Sequence, residues 1–419
     1  MALSCGLDFG TSNSTLSRIG PDGQPRLVAL EGEQATIPSV LFFGFEDNSL
    51  HFGRAAVAEY VTGAEGRLMR SLKSVLGTAL FADTTRIKAQ RLGFGEIIGT
   101  FVGEVKRRAE ARLGDELTDV VMGRPVQFVD DDPVADAEAQ AQLEAAVRAQ
   151  GFRNIVFQYE PIAAALDYER HVSGEKLALI VDLGGGTSDF SLVRVSPERA
   201  GKADRTADIL ATTGVHIGGT DFDRLLAMAR VMPELGLGSK TVDGKRFLPV
   251  APYYDLSTWH RINRLYDAKA LRDLRSTIRE AQQAERVETM VMLVEDRLGH
   301  RLIGAVEGAK IALSDHDLTP FSFPVRDRTI STEISVAHLG AALADSVTRL
   351  ETTIAETLRL AGLVASDIDS LILTGGSTLV PEVSGRLQRL FPQAEVVRTD
   401  VLGSVGLGLG LEARRHFGA

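Results

Sequence analysis

The sequence has little cysteine, little tryptophan and no long apolar run. Of its 419 residues only Cys5 is a cysteine, so an internal disulfide is impossible and a reducing compartment is expected. No stretch approaches the roughly 18 consecutive apolar residues that span a bilayer. The first residues, MALSCGLDFG, lack the basic start of a signal peptide. We therefore expect a cytoplasmic protein without a membrane segment.

An excess of positive charge is also absent. The chain has 46 Lys and Arg against 56 Asp and Glu, a net charge of −10, which disfavours nucleic acid or an anionic membrane as a partner. With 44% hydrophobic and 24% charged residues it has the composition of a globular protein. Its length exceeds what one core supports, so two or more domains are expected. A monomer is one option that the sequence leaves open.

Glycine, by contrast, is plentiful, and one glycine run gives the first indication of function. The stretch VDLGGGTSDF places three glycines between Asp182 and Asp189. It lacks the Gly-Lys-Ser/Thr of a P-loop and the glycine spacing of a dinucleotide fingerprint. Its flanks, residues 176–181 and 189–195, have strand patterns, so the loop joins two strands. Such a turn can bind a phosphate through backbone N–H groups, although a plain hairpin turn is the alternative interpretation.

The N-terminus repeats this arrangement. Residues 3–19 form a strand, a turn Asp8-Phe-Gly-Thr11 and a second strand. The two aspartates lie 174 residues apart, 182 minus 8, and a repeat of domain length predicts two related domains. Further glycine turns occur at 218–219, before a helical pattern, and at 375–376, after an apolar strand. Two phosphate-binding hairpins that face each other across a cleft would explain this pattern.

The acidic and hydroxyl residues of the two hairpins suggest how a nucleotide would be held. Asp8 and Asp182 would hold a hydrated Mg²⁺ through its waters, because magnesium keeps most of its water ligands in proteins. The hydroxyls of Thr11 and Thr187 would orient a phosphate or an attacking water.

The remaining chain alternates between helical and irregular patterns. Residues 98–113 predict an amphipathic helix and the Ala/Glu-rich residues 133–150 a second helix, and each ends at a glycine. Residues 263–314 predict two helices that meet near Gly299. Residues 232–259 have scattered glycine and proline and are typical of a loop-rich insertion.

With these motifs in place, the chain resembles the actin, sugar kinase and heat-shock chaperone ATPase superfamily. Within it, the chain is most similar to the seventy-kilodalton heat-shock protein family of the DnaK type, and two phrases, at 121–125 and 151–161, resemble its YegD-type branch of truncated homologues. The resembling motifs are DFGTSNS at 8–14, RSLKSVLG at 70–77, EPIAAA at 160–165, VDLGGGTSDF at 181–190, VHIGGTDFD at 215–223, EGAKIALS at 307–314, LTGGST at 373–378 and the glycine-rich segment 397–410.

The resemblance implies an α/β protein with the actin-like ATPase fold. Two lobes would each contain a ribonuclease-H-like mixed sheet, duplicated between them, with helical or loop-rich subdomain insertions. Lobe I would span residues 1–175 and lobe II residues 176–370, with an insertion at 231–298. Residues 371–419 would supply the adenosine motif and a C-terminal helix that returns to lobe I.

The resemblance also implies a role for each motif residue, with ATP or ADP and Mg²⁺ as cofactors. Lys73 would offset charge near the γ-phosphate, Glu160 would orient water or act as a base, and Asp189 would hold solvent near a metal bound by Asp8 and Asp182. A solvated lysine and an ordinary first-turn carboxylate are the alternatives for the first two. The nucleotide contacts would be Gly10, Thr11, Ser12, Asn13, Gly184, Gly185, Gly186, Thr187, Gly218, Gly219, Glu307, Lys310, Ser314, Gly375, Gly376, Ser377 and Asp400, with Thr187 also catalytic.

The chain departs from the family pattern at several positions. Ile311 and Leu379 stand where many relatives place arginines that sandwich the adenine, and Thr220 replaces a usual acidic residue. Only nine residues follow Gly410, so the peptide-binding domain of the family is expected to be missing.

The predicted function is that of a chaperone-like protein that binds Mg-ATP and hydrolyses it slowly. An unknown protein partner or co-chaperone would respond to the closure of the lobes. Three alternatives stay open. A small-molecule kinase of the sugar-kinase type would place a substrate hydroxyl where the ATPase has water. A filament or scaffold protein would use nucleotide to assemble, and a pseudo-ATPase would bind it without turnover.

Overall fold

The computed structural model describes residues 3–129, 132–169, 172–202, 204–398 and 403–418. Short strands of apolar and β-branched residues, separated by glycine turns, account for most of the sheet structure. The strands are β1 Leu3–Phe9, β2 Asn13–Ile19, β3 Pro25–Leu27, β4 Thr36–Pro38, β5 Val40–Gly44, β6 Leu50–Phe52, β7 Gly66–Arg70, β8 Thr84–Ile87, β9 Gln90–Gly93, β10 Leu117–Arg124, β11 Asn154–Tyr159, β12 Lys176–Leu183, β13 Ser188–Val195, β14 Ile209–Val215, β15 Leu318–Val325, β16 Arg328–Ser335, β17 Ser370–Thr374 and β18 Glu395–Arg398.

Several helices begin or end at a residue that caps them. Asp132 accepts hydrogen bonds from the first turn of α3, and Gly114 and Gly362 end α2 and α11 with a left-handed backbone. The helices are α1 Gly53–Thr62, α2 Phe94–Leu113, α3 Pro133–Arg148, α4 Glu160–Glu169, α5 Pro197–Ala200, α6 Gly219–Leu226, α7 Ala251–Ser257, α8 Ala268–Glu280, α9 Ala284–Glu295, α10 Gly299–Ala312, α11 Val336–Ala361, α12 Pro381–Leu390 and α13 Ser404–Phe417.

Two mixed sheets with the same topology form the centre of the molecule. The first has the order β11-β10-β1-β2-β3, with β4 also paired to β2, and the second has the order β18-β17-β12-β13-β14. In each sheet the first strand forms an antiparallel hairpin with the next and pairs in parallel with a later strand on its other side. The predicted duplication of a mixed sheet in an α/β fold is therefore confirmed.

The two hairpins present their polar residues at corresponding positions. Asp8 on β1 lies opposite Thr15 on β2, and Asp182 on β12 lies opposite Asp189 on β13. In both hairpins the aspartate lies two residues before the first glycine of the turn. The internal repeat read from the sequence thus corresponds to a structural repeat.

Helices α4 and α13 pack against each other and against strands of both sheets. Their shared core includes Val121 of β10, Ile180 of β12 and Leu409 of α13. A Cβ at Gly408 would overlap with the carbonyl oxygen of Ala163, so this close crossing requires glycine. The glycine run 406–410 therefore serves helix packing inside the protein, and no helix within the described ranges is long and apolar enough to cross a membrane.

The insertions add smaller units to each sheet. Strands β6, β5 and β7 form a three-stranded sheet that α1 covers, and β8 and β9 form a separate hairpin. The prediction of two helices over 263–314 was wrong, because α8, α9 and α10 all lie there. The chain leaves the helix after Glu280 because Gln282 donates a backbone hydrogen bond of 2.9 Å to Lys240.

The chain crosses back between the sheets near its end. Strands β17 and β18 pair within the second sheet, whereas α13 packs on β1, β2 and β10 of the first. The lobe limits given from the sequence, at 175/176 and 370/371, stay predictions.

Candidate functional site

The turns of the two central hairpins lie in contact. A Cβ at Gly185 would overlap with the Oγ of Ser12, so the absence of a side chain at 185 lets the two turns approach. The second turn is closed by a 2.9 Å hydrogen bond from the Gly184 N–H to the Thr187 carbonyl. The first is anchored by Ser39, whose hydroxyl donates to the Gly10 carbonyl over 2.7 Å.

A third glycine segment packs onto the second turn from the start of α6. Gly219 donates its N–H to the Gly184 carbonyl over 3.0 Å, and Thr220 donates both its N–H and its hydroxyl to the Gly185 carbonyl. A Cβ at Gly218 would lie 2.5 Å from backbone atoms of residues 185 and 186. The threonine that departs from the family pattern therefore holds two glycine segments together, a role that sequence analysis did not foresee.

The fourth glycine turn joins from β17. Gly375 has a φ of 81°, which favours glycine, and a Cβ there would lie 2.9 Å from the Asp182 carboxylate. Ser377 donates its hydroxyl to the Gly184 carbonyl over 3.4 Å. The other three predicted glycine turns thus meet the fourth, residues 184–187.

A buried ion pair supports this arrangement from behind. Lys310 on α10 donates to the Gly219 carbonyl over 3.2 Å and pairs with Asp223 on α6 over 2.7 Å. Burial raises the pKa of Asp223 to about 6, although Lys310 lowers it. Asp223 lies within the motif VHIGGTDFD, but no role was predicted for it from the sequence. The only indication was an acidic residue on an otherwise apolar helix face.

Lys73 and Glu160 lie together although 87 residues separate them in sequence. Lys73 belongs to a short 3₁₀ turn, Leu72–Val75, and forms an ion pair with Glu160 at the start of α4; their side chains are 10% and 16% exposed. Burial alone lowers the pKa of the Lys73 ammonium, but Glu160 and Asp8 raise it, so the pKa stands above its usual value. The lysine stays charged inside the cleft.

The aspartates around this pair carry more negative charge than one lysine balances. Burial and Glu160 raise the pKa of Asp8 to about 7. Burial, Asp189 and Glu160 raise the pKa of Asp182 to about 8. Both pKa values exceed the ordinary 3.8 even though Lys73 lowers them, because burial disfavours the charged form and the neighbouring carboxylates add to this effect.

This excess of carboxylates is suited to a cation that contacts them through water molecules. Across the residues with assigned positions, no group of three or more His, Cys, Asp or Glu is placed to hold a metal ion directly. Hydrated magnesium needs few protein ligands, so Asp8 and Asp182 suit the expected contact through water.

A cavity of roughly 60 Å³ with both polar and apolar walls adjoins Asp182 and Glu160, between α4 and the second sheet. A space of this size with several polar walls can hold ordered water. Its lining includes Gln127, Glu160, Asp182, Asp189, Ser191 and Thr212.

The other predicted contacts have less regular positions. Glu307 is exposed on α10, whereas Ser314 lies two residues beyond the end of that helix. Ile311 and Leu379 are 58% and 42% exposed, which is unusual for large aliphatic side chains. Asp400 lies outside the described residues.

Duplicated mixed sheets with glycine turns that meet between them define the actin-like ATPase fold. Comparison with known proteins then gives the family: the protein-family model described as "Hsp70 protein" matches residues 4–232 and 272–412. The chain belongs to the Hsp70 family. The matched segments leave out residues 233–271.

Three curated relatives, each named "Chaperone protein DnaK", illustrate the similarity. The protein of Thermotoga neapolitana is 29% identical over 422 residues, which cover 97% of this chain and 58% of the relative. Those of Thermosipho melanesiensis and Thermosipho africanus are 27% and 28% identical, covering 97% and 92% of this chain and 58% and 54% of the relatives. The chain therefore spans little more than half the length of these relatives.

Proposed function

We propose that the chain binds Mg-ATP between its two lobes and hydrolyses it slowly, as a chaperone-like protein whose lobes close on the nucleotide. The observation that carries the proposal is the meeting of four glycine turns from both sheets, three of which contact the fourth at residues 184–187. Glycine turns with free N–H groups bind phosphates well. A nucleotide held by turns of both lobes would link its hydrolysis to the distance between the two lobes.

The phosphate contacts would come from the backbone of the two hairpin turns, residues 10–13 and 184–187. Gly218 and Gly219 would close over the phosphates from the second lobe, and the turn 375–377 would support the ribose side. The exposed aliphatic side chains of Ile311 and Leu379 would pack against the base, with Glu307 near the ribose. In this assignment Lys310 acts through Asp223 to fix α10 against α6.

The acidic cluster would provide the metal site and the chemistry. A bound Mg²⁺ would neutralise phosphate charge, and Asp8 and Asp182 would hold it through its waters. Lys73, kept charged by Glu160, would offset the charge that develops on the γ-phosphate. Glu160, Asp189 and the Thr187 hydroxyl would position the attacking water, for which the adjoining cavity offers space.

The relatives named DnaK suggest what the motion of the lobes would serve. These relatives are named as chaperones. A protein partner or co-chaperone would therefore bind differently to the open and the closed arrangement of the lobes. Membership of the YegD-type branch remains part of this proposal.

The decisive experiment measures ADP and ATP binding by calorimetry, and phosphate release, with and without Mg²⁺. We expect Lys73→Ala to reduce phosphate release by about 100-fold or more, because it removes a preorganised charge, while nucleotide binding falls much less. Exposed Lys269 provides the control, and Lys269→Ala should behave as wild type. If wild type neither binds nor hydrolyses nucleotide, the proposal fails. If a small hydroxyl compound raises turnover by orders of magnitude, the kinase alternative replaces it.

A further inference from the structure

Exposed apolar side chains are concentrated in one loop before α7, residues 240–250. Eleven large hydrophobic side chains are exposed among the described residues, and three of them lie in this loop: Val242, Phe247 and Val250, at 67%, 66% and 52%. Pro249 is exposed between the last two. A single exposed apolar residue is ordinary, whereas a group of them marks an interaction surface. We call residues 240–250 the insertion loop.

The insertion loop is held at its base by a small core of its own. Leu248 is buried against Ala281 and Val287, and its N–H donates to the Ser239 carbonyl over 2.9 Å. Thr241 is also buried and forms a β-bridge with Ala281. The exposed side chains are therefore carried on a fixed base, so little conformational entropy is lost when they enter a surface.

Cations accompany the apolar side chains in the insertion loop. Lys240, Lys245 and Arg246 are all exposed, and Lys240 lies over the Phe247 ring at 5.5 Å. Asp243 is the single acid of the loop, so the net charge of residues 240–250 is +2, three minus one. The whole chain has a net charge of −10, and the loop therefore departs in sign from the protein that carries it.

The acidic groups close to the loop leave this positive charge in place. The Asp243 carboxylate turns back into the loop, where it accepts from the Thr241 hydroxyl over 2.6 Å and from the Lys245 N–H over 3.1 Å. Arg279 and Glu280, at the end of α8 beside the loop, are both exposed and offset each other. The cations of the loop thus remain available to an anionic surface.

The backbone of the loop finds its hydrogen-bond partners within the protein. The N–H groups at positions 241, 242, 244, 245, 246 and 248 all donate to neighbouring oxygen atoms of the chain. An apolar environment supplies no partners for such groups, and each unpaired one carries a large free-energy cost there. The loop can therefore enter the boundary of a lipid bilayer with most of its backbone donors already paired.

We propose that the insertion loop binds the surface of an anionic lipid bilayer, with its three apolar side chains inserted at the headgroup boundary and its three cations against the headgroups. The net charge of the whole chain disfavours such a surface, but charges beyond about 8 Å are largely screened at physiological ionic strength, so the local charge decides. The loop lies wholly within residues 233–271, which the family match leaves out. The inference does not depend on the proposed nucleotide site.

The test is sedimentation of the full chain with phosphatidylcholine vesicles that contain about 30% phosphatidylserine, and with vesicles of phosphatidylcholine alone. Phe247→Ser removes the largest apolar side chain of the loop, and Lys245→Glu reverses one of its charges. The matched controls are Leu360→Ser and Arg91→Glu, because both residues are exposed on other parts of the molecule. Circular dichroism establishes that each variant is folded.

The two variants of the loop should lose binding for different reasons. Wild type should sediment with the phosphatidylserine vesicles much more than with the neutral ones, and added salt should release it. Lys245→Glu changes the loop by two charges, so its affinity for the anionic vesicles should fall roughly 20-fold. Phe247→Ser should bind about tenfold more weakly, because it loses an inserted apolar side chain. Leu360→Ser and Arg91→Glu should bind as wild type does.

Three outcomes would overturn the inference. In the first, wild type does not sediment with the anionic vesicles. In the second, it does sediment but the control variants lose as much affinity as the variants of the loop, so that binding does not depend on residues 240–250. In the third, the protein ignores both kinds of vesicle and binds a synthetic peptide of alternating Glu and Leu in a manner that Phe247→Ser abolishes, which would assign the loop to a protein partner.

Discussion

The carboxylate of Asp182 should make the nucleotide-free protein less stable as the pH rises. Its pKa stands at about 8 in the folded protein against an ordinary value of 3.8, so the folded state binds this proton more tightly than the unfolded state. The stabilising contribution is therefore fully present below about pH 4 and is lost progressively as the pH rises to about 8. Asp182→Asn removes this dependence, since an amide does not titrate.

The magnitude follows from the shift. At about 1.4 kcal/mol per pH unit, a rise from 3.8 to about 8 gives an upper bound of about 6 kcal/mol. The side chain is half-buried, and water screens such a charge, so we halve this figure to about 3 kcal/mol. Asp182→Asn should thus be more stable than wild type by a margin that grows from pH 4 to pH 8 and then levels off.

The assay is urea unfolding at a series of pH values, in chelator and without nucleotide, followed by circular dichroism. The control is Asp47→Asn, because Asp47 is exposed and hydrogen bonds with Ser49 lower its pKa. The free energy of unfolding of this variant should not rise relative to that of wild type as the pH rises. Adding Mg-ATP should then stabilise wild type more than Asp182→Asn. A difference in unfolding free energy between wild type and Asp182→Asn that stays constant from pH 4 to pH 8 would refute the reasoning.

Three further substitutions test the glycine turns and the packing behind them. Gly218→Ala places a Cβ 2.5 Å from the backbone of the second turn, and calorimetry should show nucleotide affinity reduced at least about tenfold, with an unchanged affinity contradicting the convergence of turns. Asp223→Asn leaves Lys310 nearly buried without its carboxylate, which should lower the unfolding free energy by about 3 kcal/mol in denaturant titrations; a loss below 1 kcal/mol would contradict the role given to this pair. Gly408→Ala forces a Cβ into a carbonyl oxygen where α13 crosses α4, so the melting temperature should fall by several degrees, and an unchanged value would mean that the crossing adjusts freely.

Much of the central architecture could be read from the sequence because its determinants are local. Alternating apolar strands around VDLGGGTSDF and DFGTSNS predict hairpins, and the spacing between them predicts two related sheets, both of which the fold contains. The helix breaks were less predictable. The segment 263–314 has no strong breaker at Ala281, and the helix ends there because the backbone pairs with Lys240, a contact between distant residues.

In the candidate site, too, features with a local sequence pattern were predictable and contacts between distant residues were not. Each glycine turn has its own sequence motif, so Gly10, Gly184, Gly218 and Gly375 were foreseeable as turn residues. The pairing of Lys310 with Asp223 was not, since two charged residues on different helices give no local pattern that links them.

What the sequence determined by itself was the set of turns, the duplication of the hairpin and the chemical types in each motif, because turn geometry and strand alternation depend on neighbouring residues. What only the tertiary structure decided was which distant groups meet. The contact of Ser12 with the turn at 185, the ion pair of Lys73 with Glu160, and the edge-on contact of the Tyr60 and His300 rings all join segments far apart in the chain. Their pKa values and packing arise from burial and from charges brought together by folding, and neither exists in the extended chain.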